Sequence, residues 1–146
     1  MWWSGLTTAD ARNAIEMAAG DLTCQVIDDT TCWLPSSSRA APRSPGATYL
    51  LPVYDEYLVA YRNRTAALDP RYSTRRTNLI FGSTIVVNGR VVGTWMSTRS
   101  DHETVVTLSP FAPLVGRVRR AVDDAARRYG RFLGQSVRVV TRARKR

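Results

Sequence analysis

The stretch from Ile80 to Thr98 constrains the fold of this chain more than any other. Two runs rich in β-branched residues, Ile80 to Val87 and Arg90 to Thr98, flank Asn88-Gly89. A two-residue Asn-Gly connection supplies the two positive φ angles of the turn that matches strand twist, so the stretch predicts a β-hairpin. Glu103 to Leu108 reads as a third strand of the set, Tyr49 to Leu51 as a short strand before it, and Val137 to Val140 as a strand-like end. Between the last two lies the best helix, Pro113 to Leu133. At about 100° per residue, Leu114, Val115, Val118, Ala121, Val122, Ala125, Ala126, Tyr129, Phe132 and Leu133 share one face. Arg117, Arg120, Arg127, Arg128 and Arg131 fall on the other, interrupted by Asp124.

The first third of the chain has a different pattern. Leu6 to Gly20 reads as a helix, with Thr7 and Asp10 resembling a capping box and Gly20 as a stop. Ala11, Ala14, Ile15 and Ala18 make a small apolar face. Trp2 and Trp3 before the Ser4-Gly5 break look like the end of a preceding helix, which makes a helix-turn-helix pattern. Leu22 to Leu34 then reads as two short strands around Asp28-Asp29, the form of a wing. A winged helix normally has a further helix, so the unit is expected to be incomplete on its N-terminal side. Residues 35 to 46, rich in Ser and Pro, read as a linker. Beyond it, Asp55 to Tyr61 is a helical turn, and Asp69-Pro70-Arg71-Tyr72 is a turn or a short helix start.

The net charge of +9 is localised. Residues 117 to 146 hold eleven Lys or Arg against Asp123 and Asp124, whereas residues 1 to 116 hold ten of each sign. A localised basic surface points to a polyanionic partner, nucleic acid ahead of anionic membrane, with a solubilising tail as the alternative. No segment approaches the roughly 18 apolar residues that span a bilayer, and no signal peptide is evident. The composition predicts a cytoplasmic protein with no membrane association. Cys24 and Cys32 flank the expected hairpin turn; depending on the loop they face each other across it, but in a cytosolic protein they read as reduced thiols.

Two stretches carry a family resemblance. Leu50-Leu51-Pro52-Val53-Tyr54-Asp55-Glu56-Tyr57-Leu58, continuing to Tyr61-Arg62-Asn63-Arg64, is the first. Val86-Val87-Asn88-Gly89-Arg90-Val91-Val92-Gly93-Thr94-Trp95 is the second. With Trp2-Trp3-Ser4-Gly5-Leu6, Ala9-Asp10-Ala11-Arg12, Trp33-Leu34 and Ala126 to Gly134, they resemble the C-terminal part of the bacterial winged-helix DNA-binding family that includes the AlkZ-type DNA glycosylases. The resemblance implies tandem winged helices followed by a β-barrel, of which this chain would hold the end of the last winged helix and the barrel. It also implies a Gln-apolar-Gln catalytic motif near the N-terminus. This chain has only Gln25, followed by Val26-Ile27, and Gln135. No catalytic residue is carried over, and no glycosylase activity is expected of this chain alone.

Other constellations have structural readings. Asp55, Glu56 and Asp69 suggest paired carboxylates, but adjacent residues of an extended segment point to opposite faces. Capping, or pairing with Arg62 and Arg64, is the better reading. Asp101-His102-Glu103 lacks further metal ligands. The Thr7 to Gly20 helix offers Arg12 and Asn13 against Asp10 and Glu16, too little positive charge for a groove-reading helix.

The DNA-binding candidates are Arg62, Arg64, Arg71, Arg75 and Arg76 in loops, with Tyr61 and Tyr72 nearby, then Arg117, Arg120, Arg127, Arg128 and Arg131 on the long helix. Arginine forks suit phosphate oxygens; a solvated charged face is the alternative for each. The expected architecture is α+β: a partial winged helix-turn-helix (1–34), the linker (35–46), a small β-barrel-like antiparallel sheet packed by the long C-terminal helix of 113–133 (47–141), and a basic tail (142–146). The expected role is a nucleoid-associated, non-catalytic contact with duplex DNA phosphates, without cofactor or metal. The alternatives are a protein-interaction module docking onto a separately encoded catalytic half that supplies the missing winged helices, and part of a DNA-repair glycosylase.

Overall fold

The computed structural model describes residues 4–37, 47–73 and 82–142. These residues form an α+β structure with two sheets and four helices. It divides into two compact units, Met1–Arg43 and Ser44–Arg146.

In the first unit, helix α1 (Thr8–Met17) is capped by Thr7, whose hydroxyl accepts from the Asp10 amide at 3.2 Å. Asp10 is one methylene shorter than the Glu of a capping box. Its carboxylate accepts a hydrogen bond from the Thr7 hydroxyl at 2.6 Å. The helix ends at Ala18 rather than Gly20, and a 3₁₀ turn, Ala19–Asp21, leads into the sheet. Strands β1 (Leu22–Ile27) and β2 (Thr30–Pro35) pair antiparallel. Asp28 and Asp29 take the turn at φ 47 and 59, the left-handed region that Asp tolerates better than most residues. The register pairs Cys24 with Trp33 and Gln25 with Cys32. Directly opposed residues share a sheet face and neighbours in sequence alternate, so the two cysteines lie on opposite faces. They do not face each other across the hairpin. No described residue of this unit is fully buried.

The second unit is built on a five-stranded sheet of order β3-β4-β5-β6-β7. Its elements are β3 (Thr48–Leu51), short helices α2 (Glu56–Val59) and α3 (Pro70–Ser73), β4 (Thr84–Val87), β5 (Arg90–Arg99), β6 (Glu103–Pro110), helix α4 (Gly116–Leu133) and β7 (Ser136–Thr141). The first three ladders are antiparallel; β6 and β7 are parallel. The last ladder corrects the expected all-antiparallel sheet. Once α4 lays its apolar face back across the sheet, a strand–helix–strand crossover brings β7 in running the same way as β6.

Both faces of this sheet are covered. On one, Ile85, Val87, Val106 and Leu108 pack with Val122 and Ala126 of α4. On the other, Val86 and Val91 pack with Leu58, Ala67 and Leu68 from the segment between β3 and β4. Strand β4 is therefore buried at all four residues, which is why Thr84-Ile85-Val86-Val87 does not alternate. Pro113 to Val115 lie ahead of α4, with Val115 extended as its N-cap, so the helix starts at Gly116 rather than at 113, while Leu114 still packs on the α4-side core. Gly134 ends α4 at φ 66. The amide of Gln135 bonds to the Gly130 carbonyl and that of Gly134 to Arg131, a Schellman closure. Trp2, Trp3, residues 38–46 of the expected linker, Ile80, Phe81 and residues 143–146 of the tail lie outside the described residues.

Candidate nucleic-acid interface

The two stretches quoted above fold against each other. Asp55 accepts the Tyr57 amide at 2.9 Å and so caps α2, which seats Leu58 in the core. The Tyr57 hydroxyl donates to the Gly89 carbonyl at 2.6 Å, tying the first stretch to the turn of the second. Asn88 and Gly89 adopt φ 51 and 77, the turn the Asn-Gly pair demands. Arg90 Nη1 donates to the Thr65 carbonyl at 3.0 Å. Val91 and Val92 point to opposite faces of the sheet across a register shift. Trp95 Nε1 donates to the Leu51 carbonyl at 2.8 Å, and its ring meets Tyr129 edge-on with centroids 5.1 Å apart. Each of these residues has a packing or hydrogen-bonding duty.

The candidate arginines fall into two groups. Arg64 is half-buried; its Nε and Nη1 donate to the carbonyls of Leu58 and Arg62, bracing the loop after α2. Arg71 forms a bidentate pair with Asp69, closest at 2.7 Å. That guanidinium, then the Arg71 amide, pull the Asp69 carboxyl down from 3.8 to about 2, and Asp69 in turn raises Arg71. Arg128 Nη2 donates to the Thr48 carbonyl at 2.7 Å and fastens α4 to β3. Arg127 pairs with Asp124 at 2.9 Å on the surface. Arg119, absent from the candidate set, joins Asp123 at 3.0 Å and Thr141 Oγ1 at 2.8 Å, linking α4 to β7. Such helix-to-strand duties depend on the crossover and have no signature in spacing alone.

Of the candidate arginines, four are exposed with no side-chain partner among the described residues: Arg62, Arg117, Arg120 and Arg131. Arg117, Arg120, Arg127 and Arg131 lie three, seven and four residues apart along one side of α4, a row of about 21 Å at 1.5 Å per residue. Arg138 of β7, also missed in the sequence, is exposed but pairs with Glu103 at 3.1 Å. Arg75 and Arg76 lie outside the described residues.

Charge divides between the units as the arginines do. Met1–Arg43 carries three basic and five acidic residues, a net of −2, and Ser44–Arg146 carries eighteen basic and seven acidic, a net of +11. The excess positive charge therefore belongs to the sheet unit and not to the helix-and-hairpin unit.

An open cleft of about 510 Å³ lies beside Asp69, Tyr72, Arg90, Phe111, Leu114 and Val118. Its one carboxylate is already held by Arg71, and Tyr72 stacks on Phe111 at 4.3 Å. His102 sits in the β5–β6 turn, where its carbonyl accepts from Ser136. No cluster of three metal-ligating side chains, and no helix long and apolar enough to cross a membrane, occurs among the described residues.

Comparison with known proteins matches residues 1–132 to the family described as AlkZ-like, DNA glycosylase AlkZ-like. Among solved structures, Streptomyces sahachiroi DNA glycosylase AlkZ superposes with a TM-score of 0.66 at 22% identity, over 94% of this chain. The chain spans 38% of the length of that protein. No curated protein matches the sequence.

Proposed function

Because this chain belongs to the AlkZ-like DNA glycosylase family, a family whose name places it in DNA repair, we propose that it binds duplex DNA through phosphate contacts and performs no base excision by itself. The observation that carries this reading is the row of arginines on α4, of which Arg117, Arg120 and Arg131 have no protein partner among the described residues. Guanidinium groups held apart from carboxylates on a rigid helix are available to phosphate oxygens without breaking an internal pair. Arg62 adds a further contact from the loop after α2. Arg127, paired only at the surface, is released to a phosphate at small cost. Arg64, Arg71 and Arg128 contribute by holding the frame, and Arg75 and Arg76 remain assigned to DNA by their position in the chain.

In this reading α1 with β1–β2 is the helix and wing of a winged helix that serves as architecture, and the five-stranded sheet with α4 is an opened barrel. The boundaries 1–34, 35–46, 47–141 and 142–146 are kept, and the site of action is the nucleoid in the cytoplasm. Binding that rests on phosphates falls steeply with salt and is indifferent to sequence. Each phosphate contact contributes about 0.9 to the slope of log affinity against log salt. Arg117→Gln, Arg120→Gln and Arg131→Gln together should lower that slope by about 2.7, measured by fluorescence anisotropy on a labelled duplex. An unchanged slope in the triple variant, with the fold intact, would sink the proposal.

A second reading, docking onto a catalytic half supplied by another segment or another chain, is favoured by the first unit. Met17, Val26 and Trp33 are 89%, 72% and 43% exposed there, and the β1–β2 face of Leu22, Cys24, Val26 and Trp33 carries no charge. Stable co-purification with a catalytic partner, lost on Val26→Asp with Trp33→Asp, distinguishes it from the first.

A further inference from the structure

The loop that leaves β3 exposes an unusual number of phenol rings. Tyr49 on β3 and Tyr54, Tyr57 and Tyr61 around α2 are 54%, 65%, 41% and 65% exposed. Tyr54 is held at φ 59, a left-handed conformation that bulky side chains rarely adopt, so the backbone dictates where its ring projects. Tyr57 is pinned by its hydroxyl to the Gly89 carbonyl at 2.6 Å. With Tyr49, Leu51, Val86 and Gly89 it walls an almost wholly apolar hollow of about 250 Å³. Tyr61 leaves α2 just past its C-cap Ala60, four residues after Tyr57 in the chain. Arg62 comes next, exposed and without a side-chain partner among the described residues.

We propose that Tyr49, Tyr54, Tyr57 and Tyr61 form a stacking platform for unpaired nucleic-acid bases, with Arg62 holding the backbone phosphate beside them. Any base offers a π-face to a phenol ring, and such stacking with a neighbouring arginine is how single strands are held without sequence preference. Bases inside a duplex already stack on one another, so the rings take only unpaired nucleotides, and Arg62 is the residue this platform shares with the phosphate contacts proposed above. A protein partner fits less well. Interface cores are depleted of charge, whereas this one is bordered by Arg62 and Glu56, in a unit of net +11. Of the two acids in this segment, Asp55 is engaged as the cap of α2 and Glu56 is exposed in its first turn.

The test uses the full chain and labelled (dT)12 in anisotropy titrations, against a matched 12-mer duplex and inorganic polyphosphate of equal charge. Tyr54→Leu with Tyr61→Leu keeps apolar bulk and removes the π-faces; Tyr54→Phe with Tyr61→Phe keeps the rings. The expected results are tighter binding of (dT)12 than of polyphosphate and a loss of at least about fivefold per ring in the Leu variant. The Phe variant should retain binding, and duplex affinity should stay unchanged in both. A (U)12 arm that equals (dT)12 extends the site to RNA, and a weaker one restricts it to DNA. The proposal is overturned if polyphosphate binds as tightly as (dT)12, or if the Leu variant keeps its (dT)12 affinity. Self-association abolished by the Leu variant with (dT)12 affinity intact would likewise overturn it, in favour of a protein interface.

Discussion

Gly93 is the residue whose replacement tests the packing of this sheet most directly. An added Cβ would lie 2.5 Å from Pro110 Cα and 2.8 Å from the Ser109 carbonyl oxygen, both backbone atoms of β6. No side chain can swing away, so β5 and β6 must part where Gly93 faces Pro110. Moving the strands apart by about 0.5–1 Å stretches the neighbouring bond from the Phe111 amide to the Val92 carbonyl, now 2.9 Å, out of hydrogen-bonding range. That costs about 1 kcal/mol, and overpacking strain adds about 1–3 kcal/mol. The stiffer unfolded chain of Gly93→Ala offsets about 0.4–1 kcal/mol. The net expectation is destabilisation by about 2 kcal/mol, or a fall in Tm of about 8 °C for a domain near 100 residues. Urea unfolding of a Trp33→Phe background followed by its near-ultraviolet signal, with the same m-value for both proteins, measures it. A Gly93→Ala protein within 0.5 kcal/mol of the parent would refute the steric account of the Val92-Gly93-Thr94-Trp95 segment.

Three further outcomes are expected. Trp95→Phe keeps an aromatic ring near Tyr129 but leaves the Leu51 carbonyl without its donor, so urea unfolding should show a loss of about 1–3 kcal/mol. The carboxyl of Asp69 sits at about 2 when folded, below its ordinary 3.8, so its pairing with Arg71 stabilises fully above about pH 4 and fades as pH falls through that window. The difference in urea midpoint between the parent and Asp69→Asn should therefore close between pH 5 and pH 2; a gap constant over that range would contradict the pairing. Because Cys24 and Cys32 lie on opposite faces of their hairpin, mild oxidation should give no intramolecular disulfide by mass spectrometry without loss of the β1–β2 register.

The local elements were legible because their signals are local. Asn88-Gly89 takes the turn its chemistry requires, the Thr7–Asp10 pair caps α1, and the apolar spacing from Val118 to Leu133 locates α4. Other features depart from the local expectation, most of them where distant residues decide. Gly20 was expected to stop α1, yet the chain tightens into a 3₁₀ turn at Ala19. The spacing of Cys24 and Cys32 allows them to face each other, and register separates them. Arg62, Arg64, Arg127 and Arg128 look alike in sequence, yet one is without a protein partner among the described residues, one braces a loop, one pairs with Asp124 and one fastens a strand.

Periodicity, turn chemistry and the distribution of arginines by themselves determined a hairpin-centred sheet and a long basic amphipathic helix. Those properties depend on residues within a few positions of one another, where steric preference and spacing act directly. Tertiary structure alone decided that β7 runs parallel to β6, that Gly93 must lack a side chain, and which arginines are engaged by the protein itself. Each of those depends on which carbonyl or carboxylate a fold brings within about 3 Å of a side chain, and partners such as Arg128 and Thr48 stand 80 residues apart in the chain.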